Sequence, residues 1–245
     1  MTKKFEIKSH DGPGRLTKKN NKLTPNLIDL KKHHITKDTE TAYNVEREIA
    51  EYGVRKTLEQ AQKETNVKIA VIQGSKYIDL RCKCAEELEN LGFDNLIIAN
   101  SDDLLLHPQD LINLIIKLRE TLKPTTYLIF PFAEASFIPL LSYLGIDAFN
   151  IETAEYYAAL NVLISPTKNY DLETYPIYNF TPQGLINYNK KTLDLVLREV
   201  REHMHNNSLR NLVEERTNTS PQNTAALRIL DKDHSDYLQK YTQLY

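Results

Sequence analysis

Several stretches of this chain carry side chains able to do chemistry. Asp102 and Asp103 stand side by side. Adjacent carboxylates can act as an acid/base pair or hold a cation, but just before a helix they more often serve its N-terminus. Gln73-Gly74 closes a short apolar run. An amide there can meet a ligand at the end of a strand, cap the following helix or face solvent. Cys82 and Cys84 lie two apart on an expected helix and point to different sides of it. That spacing makes neither a disulfide nor a metal pair, and small half-buried residues in a reducing cytosol explain it. His33 and His34 are adjacent with no third ligand at helical spacing, as in a solvated loop.

The elements that must position these groups are clearest between Val67 and Asn150. Lys68–Ile72, Asn95–Ala99 and Thr126–Phe130 are short runs rich in Ile, Leu and Val, suited to strands buried on both faces of a parallel sheet. Between them, Tyr77–Leu91 repeats apolar or small residues at Leu80, Cys84, Leu88 and Leu91. Pro108–Leu122 does so at Leu111, Leu114, Ile115, Leu118 and Leu122. Alternating strand and helix implies right-handed βαβ units. Phe137–Gly145 is expected to be a third helix and Asp147–Asn150 the next strand or its turn. Upstream, Phe5–Lys8 and Arg15–Leu23 read as strands around the Asp11-Gly12-Pro13-Gly14 turn, with a tighter turn at Asn20-Asn21. This hairpin feeds a first barrel strand near Ile28–Leu30. Ala42, Val45, Ile49, Tyr52, Val54 and Leu58 predict a helix over Thr41–Gln62. Asn189–Asn206, Leu209–Arg216 and Pro221–Leu230 are expected helices, the first with a face of Leu193, Val196, Leu197, Val200 and Met204.

Of the 245 residues, 41% are apolar and 26% charged, as in an ordinary globular protein. The net charge of −2 excludes a global basic field for nucleic acid. Lys3, Lys4, Lys18, Lys19, Lys31, Lys32, Lys190, Lys191 and Arg198 are scattered, as on a solvated face. No apolar run approaches the ~18 residues of a membrane span, and no signal-peptide pattern opens the chain. A cytoplasmic protein without a membrane partner is expected.

The phrases VIQGSKYIDLR (Val71–Arg81), LGFDN (Leu91–Asn95) and YLGIDAFN (Tyr143–Asn150) keep an order and spacing that resemble the second half of a tRNA-guanine transglycosylase barrel. The opening, FEIKSHDGPGRLTKKNNKLTP, resembles the start of the same family. The implied fold is α/β and TIM-barrel-like. A full barrel needs roughly 250 residues, and this chain lacks the family's Ser-Gly-Gly-Phe-Gln phrase and the long segment around it. A trimmed or incomplete barrel is therefore expected over 1–188, with a helical extension, 189–245, packed on it as one unit.

The resemblance also implies roles. Gln73 matches a glutamine that hydrogen-bonds a deazaguanine base, and Gly74 accompanies it. Asn100 and Ser101 stand where the family's Gly-Gly-Leu backbone lies against that base. Asn150 falls at the position of the aspartate that attacks the ribose C1′. An amide oxygen is uncharged and a poor nucleophile, so base exchange by that route is disabled. Asp147 matches the family's other, non-nucleophilic aspartate. With Asp102 and Asp103 it is a weak candidate for a substitute carboxylate. Tyr175–Phe180 and Tyr188 replace the family's cysteines and histidine, so no zinc and no other cofactor is expected. Tyr175, Ile177, Tyr178 and Phe180 would fill that space as an apolar cluster.

From Asn189 onward, Leu209-Arg210-Asn211-Leu212-Val213-Glu214 and Leu227-Arg228 resemble the end of the transglycosylase-like domain of archaeosine synthases. The implied setting is archaeal tRNA modification. The chain ends at Tyr245 without the later phrase that carries the chemistry or the RNA-binding PUA domain, and His203 and His205 do not replace that phrase. A split subunit, a truncated paralogue or one isolated domain would all fit. The reading is a catalytically degenerate subunit or binding module that meets tRNA and a partner supplying the missing domains. Alternatives are an active tRNA-ribosyltransferase or archaeosine synthase component using another carboxylate, and a barrel reused for another small molecule.

Overall fold

Short β-branched and leucine-rich runs alternate with amphipathic helices along most of the chain. A computed structural model describes residues 5–19, 21–64, 67–132 and 134–240. Lys3, Lys4 and Asn20, singled out above, lie outside the described residues, as does the end of the C-terminal phrase. Strands β1 (Phe5–Asp11), β2 (Gly14–Lys19), β3 (Lys22–Thr24) and β4 (Asn26–Ile28) precede helix α1 (Arg47–Ala61). Next come β5 (Ile69–Ile72), α2 (Ile78–Asn90), β6 (Asn95–Ile98), α3 (Ser101–Leu106), α4 (Pro108–Thr121) and β7 (Tyr127–Phe130). Then follow α5 (Ile138–Tyr143), β8 (Ala148–Asn150), α6 (Thr153–Ala159), β9 (Val162–Ile164) and β10 (Asn169–Asp171). Helices α7 (Pro182–His205), α8 (Leu209–Thr217), α9 (Pro221–Asp233) and α10 (Ser235–Gln239) complete the order. Two compact units result, Leu30–Pro131 and Met1–Asp29 with Phe132–Tyr245.

In the unit Leu30–Pro131, β5, β6 and β7 pair in parallel, with Ile69 opposite Asn95 and Asn95 opposite Tyr127. Their side chains are buried on both faces, as the unbroken apolar runs require. Helix α4 starts on Pro108, whose missing N–H is unneeded there. Its Leu111, Leu114, Ile115 and Leu118 are fully buried, each contributing roughly 1.5–3 kcal/mol. Helix α1 departs from expectation. It begins at Arg47, because Glu46 is extended with ψ 149° and the residues before it form a loop. Its buried face is Ala50, Gly53, Val54, Thr57, Leu58 and Ala61, while Ile49 and Tyr52 of the expected stripe are about half exposed.

In the other unit, β1, β2 and β3 form an antiparallel sheet with a register shift between Ile7 and Ser9. Strand β4 pairs in parallel with β8, placing Ile28 opposite Asn150. The hairpin β9–β10 and helix α6 were not legible at this length. Helix α7 begins at Pro182 rather than Asn189. Thr181 accepts a hydrogen bond from the Gly184 N–H at 3.1 Å, and Pro182 follows at the first helical position. Asn189 lies fully buried inside the helix. It accepts from the Ile164 N–H at 2.8 Å and donates to the Val162 carbonyl at 3.0 Å.

Parallel strands followed by helices make this the α/β, TIM-barrel-like class expected, with an N-terminal hairpin and a helical C-terminal segment. Among the described residues, no helix is long and apolar enough to cross a membrane.

Candidate functional site

In Leu30–Pro131 the parallel strands end together. The turns after β5 and β6 carry Gln73-Gly74 and Ala99-Asn100. The C-terminal ends of parallel strands are where such sheets take ligands. A pocket of about 560 Å³ opens there. Asp38, Glu40, Thr41, Gln73 and Asn100 supply polar groups, and Val71, Ile97 and Pro131 supply apolar wall.

The loop before α1 brings Asp38 and Thr41 to this wall. Ile35 bridges to Ile69 alongside β5, and the Thr36 N–H donates to the Ile69 carbonyl at 3.0 Å. The Thr39 N–H donates to Thr57 Oγ1 at 3.0 Å, fixing the loop on α1. Gly53 makes this approach feasible, because a Cβ there would meet Thr41 Cγ2 at 2.6 Å. Tyr43 is buried, donates to Asp110 and stacks on His107 with centroids 4.7 Å apart. Burial, and then the Asp110 carboxylate, raise its phenol above the ordinary range.

Gln73 is 2% exposed and so does not face solvent. Its Nε2 donates to Asp38 Oδ2 at 2.6 Å, and its Oε1 accepts from Thr41 Oγ1 at 3.4 Å. Gly74 has φ +142°, and a Cβ on it would lie 2.8 Å from both Cγ and the backbone N of Arg81. The glycine thus admits Arg81 beneath the pocket. Arg81 is itself buried and donates to the carbonyls of Ser75 at 2.5 Å and Ala99 at 2.9 Å, and to Asn100 Oδ1 at 2.9 Å. Burial pulls its guanidinium down to about 10, which leaves it charged at neutral pH.

Asn100 stands in the left-handed region with φ 54°, which asparagine tolerates better than other side-chain-bearing residues. Its Nδ2 donates to the Thr41 carbonyl at 3.0 Å. Ser101 is 4% exposed at the start of α3. Asp102 and Asp103 occupy the first turn of that helix, where the dipole favours negative charge, and neither lines the pocket. Cys84 is fully buried on α2, and burial pushes its thiol up to about 12.

The sequence reading missed Asp38, Thr41, Tyr43 and Arg81 as members of this constellation. The β-branched pair Ile35-Thr36 was the only local hint of a strand-like segment before Asp38. Chemically, the pocket suits a flat, partly apolar molecule that offers N–H donors to Asp38 and Glu40.

The other candidates lie in the unit Met1–Asp29 with Phe132–Tyr245. Asp147, 1% exposed, accepts from Arg15 Nε at 2.8 Å and from Arg15 Nη2 at 2.7 Å, so both its oxygens are engaged. Asn150 ends β8 at 8% exposure. Its Nδ2 donates to Glu152 Oε2 at 3.0 Å, and its Oδ1 accepts from the Glu152 N–H at 3.3 Å, as in an Asx turn. Tyr175, Ile177 and Tyr178 are 51–60% exposed rather than clustered. Phe180 alone of the expected four packs on the buried Leu163, Leu172 and Leu185, and its ring lies 5.3 Å from that of Tyr188. Among the described residues, no three His, Cys, Asp or Glu side chains gather as metal ligands would.

No family model matches the chain. Its relatives are nevertheless specific, and they make it a relative of the tRNA-guanine transglycosylase superfamily. It is 29% identical to archaeosine synthase of Methanocaldococcus jannaschii over 84% of this chain and 34% of that protein. It is 30% identical to tRNA-guanine(15) transglycosylase of Methanobrevibacter smithii over 83% of this chain and 36% of that protein. Archaeosine synthase subunit alpha of Thermococcus kodakarensis is 31% identical over 64% of this chain and 25% of that protein. The chain spans about a third of the length of the first two.

Proposed function

We propose that this chain is a transglycosylase-like component of archaeosine tRNA modification that holds a base but does not exchange it alone. In this reading residues 1–188 are the barrel, and 189–245 its helical extension. Gln73, Gly74, Asn100 and Ser101 belong to the base-binding end, joined by Asp38. The protein works in the cytoplasm on tRNA, with a partner chain supplying catalytic and PUA-type domains.

The observation that carries the proposal is Asn150. It terminates a parallel strand where the resemblance places the nucleophilic aspartate, and its amide is held in an Asx turn by Glu152. A neutral amide cannot form and release the glycosyl ester that a carboxylate can. Meanwhile the pocket beside Gln73 is furnished for a donor-bearing heterocycle.

A second reading rests on Glu152, whose Oε2 lies 3.0 Å from the Asn150 amide nitrogen. There the carboxylate displaced by two residues serves as the nucleophile. It is favoured over Asp147, whose oxygens are taken by Arg15, and over Asp102 and Asp103, which stand in a helix turn off the pocket wall.

Exchange of labelled guanine or 7-cyano-7-deazaguanine into archaeal tRNA tests both. No exchange by the chain alone, with tRNA or a partner protein still bound, supports the first reading. Exchange that disappears in Glu152→Gln supports the second. Exchange that survives in Glu152→Gln removes both. Phosphate contacts with tRNA would make binding fall steeply with salt, and a flat salt response would argue against them.

A further inference from the structure

We infer that Arg81 is a positioning residue that fixes the hydrogen-bond polarity of the pocket, so that the pocket offers acceptors and selects ligands presenting donors. The inference rests on the pocket reading above only for the choice of probe.

The observation behind it is a buried cation whose hydrogen bonds go to neutral groups. Arg81 donates to the carbonyls of Ser75, Ile72 and Ala99, and to Asn100 Oδ1. A guanidinium can only donate. The Asn100 oxygen must therefore face Arg81, and its NH2 group must face the Thr41 carbonyl at 3.0 Å. At the other end, the Asp38 carboxylate can only accept. The Gln73 NH2 group must face it at 2.6 Å, turning the Gln73 oxygen toward the Thr41 hydroxyl at 3.4 Å. Thr41 then donates to Gln73 and accepts from Ser75 Oγ at 2.9 Å.

Two amides that could each flip are thus held in one sense from opposite ends. Thr41 is the joint, tied to Asn100 through its backbone and to Gln73 through its side chain. Gly74 leaves the space that keeps Arg81 in place. What the pocket then shows a ligand is the remaining acceptor capacity of Asp38 and the carboxylate of Glu40. Arg81 touches no ligand in this scheme. It acts through Asn100 and Thr41.

The test compares guanine with xanthine at pH 6 by equilibrium dialysis on the full chain. The two differ by an amino donor against an oxygen acceptor on the same ring carbon. The wild-type chain is expected to prefer guanine by at least about tenfold, the effect of one well-made hydrogen bond against an opposed pair. Arg81→Gln, whose amide can donate or accept, should cut that ratio to below about threefold by the same reasoning. Thr41→Val breaks the joint without touching the buried cation and should do the same if Arg81→Gln does not fold. A purely structural role would weaken both ligands alike, and an unchanged ratio in a folded variant overturns the inference. If the wild type binds neither base, the base-holding reading fails, and the polarity claim is read without ligand. The Gln73 and Asn100 side-chain NH2 resonances should exchange slowly in the wild type, and the Gln73 pair should lose protection in either variant. Retained protection overturns the inference.

Discussion

Each unit buries an arginine, and the two do different work. Arg15 meets Asp147 through two parallel hydrogen bonds at 2.7 and 2.8 Å, with the aspartate at 1% exposure. That pair is self-contained, and it joins β2 to the residue that precedes β8. Arg81 instead distributes its donors over strand-end carbonyls and one amide next to a pocket. The first arrangement is closed and structural. The second leaves Asp38 and Glu40 free to face a ligand while their neighbours are held still. A buried carboxylate such as Asp147 is therefore a poor candidate for chemistry, whereas Asp38 is a good one for recognition.

The largest effect should come from breaking the closed pair. Asp147→Ala leaves a buried, uncompensated guanidinium and should cost about 3–5 kcal/mol in urea unfolding. Replacing both partners by apolar residues, Arg15→Met with Asp147→Leu, should cost less than the single change. If the double change costs as much, the pair is not the isolated unit described. Arg81→Met comes next. It strands neutral carbonyls rather than a charge, so about 2–3 kcal/mol is expected. A larger loss than for Asp147→Ala would invert the comparison.

The sequence shows the closed pair and the open network unequally. The strand–helix alternation from β5 to β7 was legible because each strand is a continuous apolar run and each helix keeps its period. Gln73 and Asn100 were found because they immediately follow such runs. Asp38 and Thr41 were hidden in a charged stretch whose strand-like part is the single bridge Ile35 to Ile69. Ala42 and Val45 continued the apolar period of α1 backward, but the chain there is extended and Tyr43 is directed to Asp110. The partners of Arg81 are mostly backbone carbonyls, which no residue pattern can reveal. The start of α7 was readable from Thr181-Pro182, since a hydroxyl followed by proline is a helix-start signal.

Gly74→Ala should fall below the arginine changes. It places a Cβ 2.8 Å from Arg81 and demands a left-handed backbone of an L side chain. A cost of about 1–3 kcal/mol is expected. Because the clash falls on Arg81, the guanine-to-xanthine ratio should drop as well. A stability loss with the ratio intact would show that Gly74 serves the turn alone.

The smallest effect should be Asn100→Gly. The substitution removes the bonds to Arg81 and to the Thr41 carbonyl, each worth about 0.5–1.5 kcal/mol. Two things offset this. Glycine adopts φ 54° without a Cβ penalty, and the open pocket admits water to the groups left behind. The net change should stay within about 1 kcal/mol, measured by thermal or urea unfolding. Asn100→Ala loses the same bonds but keeps a Cβ in the left-handed region, so it should cost roughly 1 kcal/mol more than glycine. That difference isolates the backbone requirement from the hydrogen bonds. Equal costs would mean that asparagine is there only for Arg81 and Thr41. A clear excess for alanine would mean that the turn itself demands a residue able to adopt this conformation, with the side-chain bonds added to it.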